Sequence, residues 1–160
     1  EDWPEEEIEE IVTLATADGL KAIEYVRRNA NELGVDPQRI GMIGFSAGGT
    51  LAVSVATTCT AETRPNFLAP IYAKYDGVIN RTELPKDLPP IFLLAASDDQ
   101  LGLAADSVQI YEKWRAAENP AELHLYAHGG HGFGMRNQEF PSDRWIELFA
   151  AWLQSRGLME

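Results

Sequence analysis

The five residues Gly44-Phe45-Ser46-Ala47-Gly48 constrain this chain more than any other stretch. They join an apolar run, Arg39 to Phe45, to a run of small, helix-compatible residues, Ala47 to Ala56. A strand that turns into a helix within one residue leaves little room for side chains beside the turn, and glycines at both flanks supply that room. The serine between them is then held in a strained backbone conformation, with its hydroxyl projecting from the end of the strand. The G-x-S-x-G pattern is short, so its weight comes from context. β-Branched and aromatic residues lead in, small residues lead out, and an aspartate and a histidine follow downstream.

A chain of 160 residues, 45% hydrophobic, has material for one domain with a core and too little for two, so residues 1–160 read as a single domain. The formal charge is −12, although seven of the 25 acidic residues lie in the first ten positions. Nucleic acid and anionic membrane surfaces are therefore not expected partners. One cysteine, Cys59, excludes an intrachain disulfide, and among threonines without a CxxC pattern it reads as incidental. No apolar run approaches a membrane span, and the N-terminus lacks the basic start and apolar middle of a secretory signal. Cytoplasmic and secreted locations both stay open.

Residues 1–15 read either as a helix, started by Pro4 and its glutamates, or as a solvated acidic tail. Asp18 is placed to cap the next helix, with Leu20, Ile23, Val26, Ala30 and Leu33 on one face and Gly34 at its end. Arg39 to Phe45 predicts a buried strand, with close backbone approach at Gly41 and Gly44. Phe67 to Ala73 predicts a strand weakened by Pro70, and residues 74–90 a polar, proline-rich connection. Ile91 to Ala96 is continuously apolar, as in a strand covered on both faces. A helix over about 104–118, a strand over 121–127, a glycine-rich loop over 128–134 and a final helix over about 142–155 complete the chain. Alternating strands and helices predict a mainly parallel sheet with right-handed crossovers and a site at the carboxyl ends of the strands. Ser46, the Asp98-Asp99 pair and His131 all fall just past such ends.

A serine hydroxyl becomes an effective nucleophile when a histidine removes its proton and a carboxylate fixes that histidine's tautomer. The order serine, aspartate, histidine is that of α/β-hydrolases. From about Asp18 onward the chain resembles the α/β-hydrolase superfamily, and within it the bacterial esterases similar to acetyl-xylan esterases and dienelactone-hydrolase-like enzymes. The matching segments are Ile43-Gly44-Phe45-Ser46-Ala47-Gly48-Gly49, Leu94-Ala95-Ala96-Ser97-Asp98-Asp99 and Leu125-Tyr126-Ala127-His128-Gly129-Gly130-His131-Gly132-Phe133. The resemblance implies an α/β-hydrolase fold and a serine carboxylester hydrolase acting on small acyl esters, acetylated carbohydrates among them, through an acyl-enzyme and without a cofactor. It implies Ser46 as nucleophile, His131 as general acid and base, and the Ala47 N–H as one oxyanion donor. It favours Asp98 over Asp99 as the triad acid, since members with an Asp-Asp pair here generally use the first. Phe45, Leu101, Phe133 and Met135 are candidate walls of an acyl pocket, or core. His124, inside a strand, reads as packed or surface, and His128 as a loop residue near the site. Three histidines without paired spacing give a metal site little support.

Family members place four strands and a second oxyanion donor ahead of the elbow, and this chain contains no counterpart of them. The elbow strand is therefore expected at an open sheet edge, where it would pair with an N-terminal segment outside these residues or with a second copy. Two other readings stay open: a prolyl-oligopeptidase-like serine peptidase domain, and an inactive fragment or pseudoenzyme without a complete oxyanion hole.

Overall fold

The computed structural model describes residues 5–75 and 84–160. Helix α1 (Glu5–Arg28) leads through a one-turn helix α2 (Ala30–Leu33) to strand β1 (Met42–Phe45) and helix α3 (Ala47–Thr58). Strands β2 (Leu68–Ile71) and β3 (Ile91–Ala96), helix α4 (Leu103–Ala116) and strand β4 (Ala121–Tyr126) follow. A 3-10 turn at Pro141–Arg144 then runs into helix α5 (Trp145–Ser155). All four strands are parallel, in the order β1-β2-β3-β4.

Successive side chains of a strand face opposite sides of the sheet, so each strand feeds two cores. Leu68, Ile91 and Leu93 pack with Val53 and Ala56 of α3 and with Ile110 and Trp114 of α4. Ala69, Ile71, Phe92 and Leu94 pack on the other side with Trp145, Phe149 and Trp152 of α5. Every position of β3 is buried, as its unbroken apolar run predicts. Two polar side chains of the α3–α4 layer are paired, whereas the buried Trp152 indole nitrogen on the α5 side has no hydrogen-bond partner among the described residues. The Trp114 indole donates to the Pro89 carbonyl at 2.9 Å, and the Asn119 amide accepts from Leu88 N–H at 3.1 Å and donates to Pro85 O at 2.7 Å.

Two sequence expectations change, and the strand expected across Pro70 holds. The segment from Glu5 to Arg28 is one continuous helix, neither a tail nor two helices, and Asp18 lies within it rather than capping it. Its docking on α3 explains why no break occurs at Asp18-Gly19. Thr16 and Ser54 share a buried hydroxyl hydrogen bond of 2.8 Å, and a Cβ at Gly19 would lie 2.6 Å from Val55. Leu33, placed on the buried face by its spacing, is exposed: the helix breaks at Asn29, and of the one-turn α2 that follows only Ala30 is buried. Pro70 stands inside a paired strand: the N–H groups of Leu68 and Tyr72 on either side donate to Pro90 and Leu94, so only the ladder bond at position 70 itself is lost. Pro4 and residues 76–83 of the 74–90 connection lie outside the described residues.

The two glycines of the elbow prove unequal. A Cβ on Gly44 would fall inside the Gly48 carbonyl, and one on Gly49 would come within 2.9 Å of Ala73 and 3.0 Å of the Gly44 carbonyl, whereas one on Gly48 would meet nothing within 4 Å. Closeness of β1 to α3 thus depends on Gly44 and Gly49, with Gly48 contributing backbone only. Gly41 is likewise closed off by the Phe67 ring. Among the described residues β1 pairs only with β2, and Ile43 and Phe45 are 45% and 41% exposed along this edge. We expect Gly44→Ala to destabilise the fold by roughly 3 kcal/mol, the upper end of ordinary overpacking, because its new methyl meets backbone that cannot move aside. Gly48→Ala should leave stability nearly unchanged in the same urea titration.

Candidate active site

Ser46 sits between β1 and α3 with φ 53° and ψ −121°, in the positive-φ region that a side chain disfavours. The conformation is held from both sides: Ser46 N–H donates to Ile71 O at 3.0 Å and Thr50 N–H donates to Ser46 O at 3.1 Å. The first bond extends the β1–β2 ladder by one rung, and the second is the first hydrogen bond of α3. Between those anchors the Oγ is turned outward, 2.9 Å from His131 Nε2.

His131 arrives from the loop after β4. Its Nδ1 lies 2.9 Å from Asp99 Oδ2, and the Asp99 side chain is fully buried while His131 remains 15% exposed. The second Asp99 oxygen accepts the Leu101 N–H at 2.8 Å, so the buried carboxylate has a partner on each oxygen. This corrects the choice of Asp98. The turn after β3, closed by Asp99 N–H to Ala96 O and Gly102 N–H to Asp99 O, directs the second carboxylate inward and leaves the first at the surface. Asp98 instead accepts the Gly130 N–H at 2.8 Å and lies 3.3 Å from His128 Nδ1. The Gly130 N–H, with help from His128, holds Asp98 below the usual carboxylate range.

Two residues at this rim escape sequence reasoning. Tyr72, just past β2, has φ 39° and packs its ring edge-on against His131 with centroids 4.9 Å apart. Burial raises its phenol pKa, and the oxygen accepts the Gly134 N–H. Gln100 Oε1 accepts the His131 N–H at 3.0 Å. Neither carries a motif signal beyond lying next to a strand end, the one feature that could have marked them.

The remaining sequence candidates separate. Ala47 opens α3, where a first-turn N–H has no intrahelical acceptor. Phe45 and Leu101 are exposed, as is Met135. Phe133 is 2% exposed and packs on Tyr72 with centroids 5.1 Å apart, which makes it core rather than a pocket wall. His124 bonds Glu122 at 2.7 Å on β4, away from this constellation in the chain's connectivity. Among the described residues no cluster of three or more His, Cys, Asp or Glu has the arrangement of a metal site.

A strained serine, a histidine within hydrogen-bond distance and a buried carboxylate behind it, each just past a different parallel strand, form a recognisable constellation. The dienelactone hydrolase family model matches residues 5–152. The chain belongs to the dienelactone hydrolase family. It is 27% identical, over 172 aligned residues, to an acetylxylan esterase of Xylanibacter ruminicola, covering 89% of this chain and 36% of that protein. Among solved structures it is similar to an acetyl ester-xyloside bifunctional hydrolase from Caldicellulosiruptor lactoaceticus, with TM-score 0.81 and 27% identity over 91% of this chain and 66% of that one. Thermogutta terrifontis esterase 2 superposes with TM-score 0.74 and 26% identity, covering 90% and 65%. The fold of this family member is thus an α/β-hydrolase fold, and the chain spans about a third of the curated relative's length and under two thirds of the structures'.

The carboxylate assignment is open to direct measurement. Asp99→Asn should lower turnover of an activated acetyl ester by roughly 10³- to 10⁴-fold, because with its one oxygen on the Leu101 N–H the amide turns its NH2 toward Nδ1 and favours the wrong tautomer. Asp98→Asn keeps an oxygen acceptor for Gly130 and should cost less than about tenfold.

Proposed function

We propose that this chain carries the catalytic residues of a serine carboxylester hydrolase acting on small acyl esters, acetylated carbohydrates among them. The observation that carries this reading is the unbroken hydrogen-bond line from Ser46 Oγ through His131 to buried Asp99. With Nδ1–H donated to Asp99, the His131 Nε2 lone pair faces the Ser46 hydroxyl. As Ser46 Oγ attacks the ester carbonyl its proton passes to Nε2, and the carbonyl oxygen becomes an oxyanion toward which the Ala47 N–H contributes one donor. Collapse expels the alkoxide, which leaves as an alcohol with the Nε2 proton. A water then gives its proton to Nε2 and attacks the acyl-enzyme, and the second collapse returns the proton to Ser46 as the acid departs. Asp99 stays ionised throughout, stabilising the imidazolium formed in each half-reaction.

The acetyl preference is supported by the similarity to an acetylxylan esterase and to an acetyl ester-xyloside hydrolase. It is also supported by the sequence of the 74–90 connection, which is polar and holds no amphipathic stretch able to cover a long acyl chain. Across p-nitrophenyl esters of two to twelve carbons, activity should peak at the short end, and Ser46→Ala and His131→Ala should each abolish it. A proline-containing peptide should not be cleaved. Peak activity at twelve carbons, or full retention by Ser46→Ala, would refute the reading.

The same proposal extends to the open edge. The strand preceding the nucleophile has exposed Ile43 and Phe45 and, among the described residues, one neighbour. An apolar parallel edge invites a further strand. We propose that a segment outside these 160 residues, or a second copy, pairs there and supplies the second oxyanion donor. Slow amide exchange at Ile43 and Phe45 together with a mass above one chain is the expected result for a pairing second copy, and slow exchange only when a longer chain is present for a pairing segment. Fast exchange at both positions in the active protein would count against either form of pairing.

A further inference from the structure

The loop that delivers His131 carries four glycines between residues 129 and 134. Gly130, Gly132 and Gly134 all have positive φ, at 69°, 72° and 51°, in a stretch without regular secondary structure. Glycines in series give the chain many alternative conformations, so a histidine carried between them needs external restraint to meet the serine within hydrogen-bond distance. Three consecutive side chains of the β3–α4 turn contact this loop at three different groups. Asp98 Oδ1 accepts the Gly130 N–H at 2.8 Å, Asp99 Oδ2 receives the His131 ring at 2.9 Å, and Gln100 Oε1 accepts the His131 N–H at 3.0 Å. A fourth tie comes from the far side, where Gln138 Nε2 donates to Gly129 O at 3.3 Å. Gly129 is also confined sterically, since a Cβ there would lie 3.1 Å from both Ala96 and Phe133.

We infer that Asp98 and Gln100 are positioning residues for His131, holding its main chain while Asp99 holds its ring. This rests on the assignment of His131 as the general base. The division of labour has a geometric reason. A bond to Nδ1 alone restrains the ring but leaves the backbone free to pivot about it. Acceptors on two successive N–H groups remove that freedom, and they do so from the same turn that carries the triad acid. Any displacement of the loop relative to β3 is then shared by all three contacts, so the serine-to-histidine distance is tied to the rigid sheet rather than to the loop.

Gln100→Met keeps side-chain length and removes the acceptor, whereas Gln100→Glu keeps an oxygen at the same reach. Asp98→Ala and Asp98→Asn form a second such pair. For Gln100→Met we expect kcat on an activated acetyl ester to fall roughly 5- to 50-fold with KM changed less than about twofold, and exchange of the His131 amide to accelerate roughly 5- to 10-fold. Gln100→Glu should recover most of both. Asp98→Ala should accelerate exchange of the Gly130 amide, and Asp98→Asn should restore it. The melting transition should shift little, because both side chains lie at the surface turn. Unchanged kcat in Gln100→Met and Asp98→Ala, or reduced kcat with unchanged amide exchange, would overturn the inference. The exchange arm reports on the loop even in a Ser46→Ala background, so failure of the hydrolase assignment and failure of the positioning role give different results.

Discussion

The closeness of β1 to α3 is the constraint on which the rest of the structure depends. Ser46 holds a backbone conformation that costs about 1–3 kcal/mol for a residue with a side chain, and that cost is offset only if both flanking elements are rigid. The sheet fixes one side through the bond from Ser46 N–H to Ile71 O, and α3 fixes the other through the bond from Thr50 N–H to Ser46 O. Helix α3 can approach because Gly44 and Gly49 present no side chains between the two backbones. It stays in place because α1 covers its outer face, locked by the Thr16–Ser54 hydroxyl pair and by the close fit of Gly19 against Val55. A helix that ends well before the elbow in the chain thereby helps set the direction of the serine hydroxyl.

The second dependence is electrostatic. The Asp99 side chain has no solvent contact, so its carboxylate depends on hydrogen bonds from within the protein. A main-chain N–H on one oxygen and an imidazole on the other make the buried charge tolerable, and the same two contacts define the tautomer His131 must adopt. Tyr72 closes the remaining side of the ring with an apolar edge, itself held in a strained backbone conformation where β2 ends. Strain at Ser46 and at Tyr72 thus lies on neighbouring strands at the same rim. That placement is consistent with local conformational cost being concentrated where function needs defined geometry.

Much of this was legible in the amino-acid sequence because the signals are local. The turn at Ser46 needs glycine within two or three residues, β3 needs six apolar residues in a row, and the loop at His131 needs glycines on both sides. Each requirement is met by neighbours in the chain, so the strand–turn–helix at Ser46, the buried strand β3 and the loop around His131 could be placed without coordinates. The continuous run of α1 through Asp18 was not legible, because a capping residue and a glycine look like a helix boundary until α3 is present to pack against them.

What only the tertiary structure decided is which of two adjacent carboxylates faces inward, which glycine clears the elbow, and that Gln100 and Tyr72 belong to the site. In each case the deciding atoms come from another part of the chain. Asp98 and Asp99 are chemically identical and differ only in how the turn after β3 meets the loop after β4. Gly44 and Gly48 read alike, yet only Gly44 faces backbone across the strand–helix crossing. Local sequence specifies the conformations open to a residue, and contact with distant segments selects among them, since a side chain's direction is settled by what it packs against.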